Sequence, residues 1–160
     1  MFERYVEQAR RAVYFSVLPA VQEKVLIGSE HLLLGLLHDD DSRANTLFKL
    51  QELLPDRVAV HKESHSAYPF KNAPALADDG KRVLAYAARE ARQLNDYWID
   101  TEHLLLGILR DGSAAAVRLK GVGIDLMMAR RVVGENKTSR PNYGPVPRFW
   151  KLKYILWSLA

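Results

Sequence analysis

Two short stretches carry the polar groups best placed to do chemistry. Glu30 and His31 stand directly behind Ser29, and Glu102 and His103 stand directly behind Thr101. Each group opens an apolar run, so each reads as the first turn of a buried helix with Ser29 or Thr101 as its N-cap. An acid in that turn is favoured by the helix dipole. The same carboxylate could instead face a ligand, because it suits a guanidinium and a helix N-terminus attracts anions. On so apolar a helix, His31 and His103 read as satisfied core histidines rather than acid–base partners. No nucleophile–base–acid constellation is visible and Gly-x-Ser-x-Gly is absent, so no catalytic residue is assigned. His61 and His65 lack the glutamate of a zinc helix motif and read as a solvated helix end. Asp39, Asp40 and Asp41 read as a capped acidic turn, one of whose acids caps the next helix. Neither group implies a metal or cofactor.

The two stretches are one phrase stated twice. Ser29-Glu30-His31-Leu32-Leu33-Leu34-Gly35-Leu36-Leu37 returns as Thr101-Glu102-His103-Leu104-Leu105-Leu106-Gly107-Ile108-Leu109, with seven of nine positions identical. An internal duplication is the direct reading. Gly35 and Gly107 disfavour a helix by about 1 kcal/mol each relative to Ala, so their recurrence points to a close helix contact.

The elements around the phrase have helical periodicity. Phe2, Tyr5, Val6, Ala9, Ala12, Val13 and Val17 recur at three- and four-residue steps, predicting a helix over 2–24 kinked or broken at Pro19. Ala44, Leu47, Phe48 and Leu50 continue the first unit, and Pro55 stands where a further helix would start. In the second unit, Val83, Leu84, Ala87, Ala88, Ala91 and Leu94 form one stripe. Shorter helices follow over 114–119 and 125–133. No stretch has a convincing strand pattern. The expected fold is therefore all-α, two repeated units of about four helices each, about eight helices in all. The domain spans 1–134, with repeat one at 1–63, a linker at 64–76 and repeat two at 77–134. Residues 135–148, rich in proline, read as extended linker, and 149–160 as an aromatic and basic segment.

Composition narrows the function classes. The 160 residues include no cysteine, which removes disulfides and cysteine-ligated zinc and fits a cytoplasmic protein. Residues 1–134 hold 18 Lys/Arg and 18 Asp/Glu, so the net charge of +4 lies entirely in the tail. A neutral body lacks the clustered basic face that nucleic acid needs. The N-terminus has no apolar run of the signal-peptide kind, and no stretch nears the roughly 20 apolar residues of a spanning helix. The tail residues Phe149, Trp150, Tyr154 and Trp157, interleaved with lysines, suit partner docking or self-packing, or a membrane-surface contact.

The doubled phrase resembles the Clp N-terminal (Clp repeat) domain of Clp ATPases, in its ClpC-type form. Met1-Phe2-Glu3-Arg4-Tyr5 with Ala9-Arg10-Arg11 is similar to that domain's opening. Lys81-Arg82-Val83-Leu84 with Arg89-Glu90-Ala91 is similar to the start of its second repeat, and Asp111-Gly112 matches the turn after its second motif. The resemblance covers about residues 1–134 and implies an all-α fold, a pseudo-twofold duplication of a four-helix repeat. It also implies a docking module for adaptor or substrate proteins, partnered with Clp ATPase and protease components. In ClpC-type proteins the motif start can hold phosphoarginine. Carried over, Glu30 and Glu102 would meet the guanidinium, while Ser29, Thr101 and the helix N-termini would receive the phosphate. Asp100 replaces a common glycine and repels a phosphate, so the first copy is the expected site. Ala77 replaces a usual Thr cap. No Gly-x-x-x-x-Gly-Lys-[Ser/Thr] loop is present, so the expected protein is the docking module without ATPase activity. Two other readings stay open: a regulatory subunit binding the Clp ring through its tail, and a peripheral membrane protein anchored by 149–160.

Overall fold

The computed structural model describes residues 2–57 and 74–146. Nine α-helices lie within them: α1 (Glu7–Phe15), α2 (Val17–Glu23), α3 (Ser29–Leu36), α4 (Arg43–Phe48), α5 (Leu50–Leu53), α6 (Asp78–Gln93), α7 (Thr101–Asp111), α8 (Ala114–Gly121) and α9 (Leu126–Glu135). The all-α duplicated fold expected from the repeat is present. The α1–α2 pair answers to the single helix α6, the motif helices α3 and α7 answer to each other, and α4 answers to α8.

The expected helix over 2–24 differs in detail. Residues 2–6 are not helical; Tyr5 instead forms an isolated bridge with Ile99. The break falls at Ser16, three residues before Pro19. Proline has no N–H to give to the previous turn, so the helix restarts with Pro19 in its first turn, where an amide needs no intrahelical partner. The second break in the first unit is at Lys49, whose left-handed φ of 54° separates α4 from α5. The cap of α4 is Ser42, whose hydroxyl accepts the Asn45 N–H, rather than one of the acids at 39–41.

The motif helices are the centre of the core. Leu32, Leu33, Leu34, Leu36 and Leu37, and Leu104, Leu105, Leu106, Ile108 and Leu109, are all buried. Each motif helix packs on the long helical arm of its own repeat, α3 on α1 and α7 on α6, and the two also touch each other. The motif glycines set that approach. A Cβ at Gly35 would lie 2.0 Å from the Ala12 carbonyl oxygen, and one at Gly107 would lie 2.5 Å from that of Val83. No side chain fits at either point, which is why both copies keep glycine despite its helix cost.

The repeats are fastened to each other reciprocally. Just before its first helix, each repeat bridges the other repeat just before its motif helix: Tyr5 with Ile99, and Leu76 with Ile27. Val6 N–H donates to the Ile99 carbonyl at 3.0 Å, and Ile27 N–H to the Ala75 carbonyl at 2.9 Å. These short bridges fix where each motif helix starts, and so fix both candidate sites.

The C-terminal stretch is a correction. Residues 135–148 were expected to be an extended linker. Glu135 ends α9, Lys137–Ser139 form a 3₁₀ turn, and the chain then lies extended but fastened to the domain as far as Tyr143. Its prolines exclude a helix, while Arg140 and Tyr143 find buried carboxylates.

Candidate functional site

The starts of α3 and α7 share one device. His31 Nδ1 accepts the Gly28 N–H at 2.9 Å, and His103 Nδ1 accepts the Asp100 N–H at 3.0 Å. A side chain that returns to the N-cap amide is half of a capping box. With Nδ1 accepting, Nε2–H donates, to Glu23 in the first copy and Asp96 in the second, both at 3.1 Å. The histidines are thus satisfied core residues, as expected. The cap position is different from expectation. Gly28 and Asp100 are the N-caps, and Ser29 and Thr101 are the first helical residues.

That shift changes what the hydroxyl residues do. Thr101 Oγ1 is fully buried and accepts the Ala44 N–H at 3.0 Å, so it caps the neighbouring helix α4. Ser29 is also buried, and its N–H donates to Asp79 Oδ2 at 2.8 Å. Asp79 comes from the other repeat. It fits because position 28 is glycine; a Cβ there would stand 3.1 Å from both Asp79 carboxylate oxygens. Burial pushes the Asp79 carboxyl up, but hydrogen bonds from Ser29 and from the backbone of Gly80 and its own residue hold it below the ordinary range. In the second copy, Asp100 serves its own helix and accepts the Thr101 N–H at 2.6 Å.

The two motif acids have different fates. Glu30 is about a quarter exposed and pairs with Arg57 at 2.5 Å and Arg118 at 3.3 Å. These groups line a cleft of about 540 Å³ together with Gly28, Ser29, Leu34 and Asp79. Arg57 Nε is shielded and has no hydrogen-bond partner among the described residues. Glu102, in contrast, is completely buried. Its Oε1 accepts from Arg43 Nε and from Arg140 Nε, each at 3.0 Å. Arg140 also bonds Asp96 at 2.5 Å, and Tyr143 Oη donates to Asp100. Glu102 is therefore not an exposed contact, because the C-terminal stretch covers it.

Asp96 and Asp100 of the second copy are shifted in opposite directions. Burial raises the Asp96 carboxyl, but hydrogen bonds and charge from His103 and Arg140 hold it down at about 2. The Asp100 carboxyl is pushed up by burial and by the Glu102 charge, against the Tyr143 hydrogen bond. The Tyr143 hydroxyl is raised by burial and by its bond to Asp100.

The sequence reading missed the arginines. Arg43, Arg57, Arg118 and Arg140 come from four different segments and share no local pattern. Phe149, Trp150, Tyr154 and Trp157, and the pair His61 and His65, lie outside the described residues. No described helix is long and apolar enough to cross a membrane.

Known proteins are similar to this chain in sequence and fold. The family described as the Clp repeat (R) N-terminal domain matches residues 20–122. A ClpA homologue of the ATP-dependent Clp protease ATP-binding subunit, chloroplastic, from Brassica napus is 35% identical over 159 residues, 90% of this chain and 18% of that protein. The negative regulator of genetic competence ClpC/MecB of Bacillus subtilis (strain 168) is 31% identical over 151 residues, 86% of this chain and 18% of that protein. The chain thus spans less than a fifth of these relatives. Among solved structures, the N-terminal domain of the caseinolytic protease associated chaperone ClpD from Arabidopsis thaliana superposes with a TM-score of 0.63 at 24% identity, covering 88% of this chain and 97% of that one. The Hsp104 N-terminal domain from Candida albicans gives 0.59 at 16% identity, covering 86% and 94%. With the doubled motif, the reciprocal bridges and these matches together, the chain belongs to the Clp repeat N-terminal domain family.

Proposed function

We propose that the chain is a non-catalytic docking or accessory module of a Clp ATPase–protease system, and that the cleft at the first motif receives its ligand. The domain is homologous to the N-terminal domains of Clp ATPases, which dock substrates and adaptors. One observation carries the choice of site: Glu30 stands in an open cleft between two arginines, whereas Glu102 is buried. A phosphoarginine side chain carries a guanidinium and a phosphoryl group, and the cleft offers partners for both. Glu30 faces the guanidinium. Arg57 and Arg118, which both reach Glu30 at the cleft, face the phosphoryl. The Ser29 amide contributes less than the family pattern implies, because Asp79 already accepts from it.

Calorimetry with a phosphoarginine peptide tests this reading. Binding should occur with wild type, disappear with Glu30→Ala, and tighten with Asp79→Asn, which removes a competing negative charge. Binding that survives Glu30→Ala unchanged would place the ligand elsewhere.

A further inference from the structure

The second motif is covered by a later segment of the same chain. Three carboxylates meet the same later segment, and each is held in place by a group of the folded domain. His103 Nε2 holds Asp96 at 3.1 Å, the Thr101 N–H holds Asp100 at 2.6 Å, and Arg43 holds Glu102 at 3.0 Å. Onto this frame come the 3₁₀ turn Lys137–Ser139 and the extended stretch after it, where Tyr143 also packs against the core. Arg140 bridges Asp96 and Glu102, Lys137 reaches Asp96 at 3.3 Å, and Tyr143 bonds Asp100. The frame also reads main chain. Arg43 Nη1 donates to the Ser139 carbonyl at 3.2 Å, and its Nη2 to the Asn136 carbonyl at 3.1 Å.

We propose that the second motif is a peptide-binding pocket for an extended Arg-x-x-Tyr segment, occupied in cis by Arg140–Tyr143 and open to a competing segment of the same chemistry. The frame does not depend on the occupant, since each carboxylate keeps a partner from the domain when the stretch leaves. The fit is also incomplete: Glu102 Oε2 and Arg140 Nη2 are buried with no hydrogen-bond partner among the described residues. A permanent core contact has no reason to keep such atoms unpaired, whereas a replaceable occupant can. The pocket selects plain arginine over its phosphorylated form, because three carboxylates repel a phosphoryl group. The two motifs would thus take different ligands.

The test uses the full chain carrying Arg140→Ala and Tyr143→Phe, with a dye-labelled peptide of residues 136–146 as probe. In fluorescence anisotropy the variant should bind the peptide at least about tenfold more tightly than wild type, whose pocket is full; each factor of ten is about 1.4 kcal/mol. Binding should weaken as salt rises and vanish when the peptide's arginine is alanine or phosphoarginine. Tyr143→Phe alone, which deletes one hydrogen bond, should bind at an intermediate level and serves if the double variant does not fold. No saturable binding by a folded variant, or equal binding by variant and wild type, overturns the proposal.

Discussion

The two copies of the motif agree in how the helix is started and seated and differ in what covers it. Both use a histidine to close the helix start, both use glycine to let two helices touch, and both place one carboxylate at the first amide. The source of that carboxylate is different. In the second copy it is Asp100, the residue just before the helix. In the first, position 28 is glycine, and Asp79 enters from the other repeat. Gln8 occupies the place matching Asp79, three residues after the Tyr5 bridge, and the Thr101 N–H donates to Asp100 instead. The lesson is that the carboxylate belongs to the fold's needs. What distinguishes the copies is the cover: the second is closed by Arg140 and Tyr143, while among the described residues no segment crosses the first.

The largest expected effect tests the shared part. Gly35→Ala and Gly107→Ala should each destabilise by about 3 kcal/mol or more, because the added methyl meets backbone rather than a movable side chain. Gly35 should be the worse of the two, as its contact is the shorter. Urea unfolding measures both, and a mild effect in one copy alone would break the equivalence of the cores.

The next effect separates the copies. Glu102→Ala leaves Arg43 and Arg140, each about nine-tenths buried, without their shared anion. The cost should be about 3 kcal/mol. Glu30→Ala, at a partly exposed pair, should cost about 1 kcal/mol or less and act instead on ligand binding. Equal losses of stability would mean that the first cleft is as closed as the second.

Acid pH sharpens the same contrast. Asp96 faces His103, Arg140 and Lys137, and its carboxyl is held at about 2 instead of 3.8. A depressed carboxyl contributes stability that is present above pH 4 and is lost as pH falls towards 2. The amount is about 2 kcal/mol. Thermal melts between pH 5 and 2 should show this loss in wild type and a flatter profile in Asp96→Asn.

The smallest effect concerns the borrowed cap. Asp79→Ala should cost about 1 kcal/mol, the usual value of a helix cap. If the loss is near zero, the Ser29 amide is satisfied without Asp79 and the contrast with Asp100 weakens.

The fold was legible because the duplicated phrase fixed both the helix type and the pairing of repeats. The motif leucines and glycines sit where their spacing placed them. The caps were misplaced by one residue, since Ser29 and Thr101 look like caps locally while the groups that decide are a glycine and an aspartate before them. Asp79 is 50 residues from its helix, and no local pattern could assign it. The arginine clamps were hidden for the same reason. Arg140 stood in a proline-rich stretch that read as linker, because polar contacts made by an extended chain leave no periodicity. The break at Ser16 was displaced from Pro19 because the proline acts on the turn before it.

The central claim is that the first motif is the open site and the second is closed. Amide chemical-shift mapping of the wild-type chain with a phosphoarginine peptide tests it most directly. The account predicts one bound peptide per chain, with shifts at Ser29, Glu30, Arg57 and Arg118 and none at Thr101, Glu102 and His103. Shifts centred on the second motif, or no shifts at the first, would contradict it.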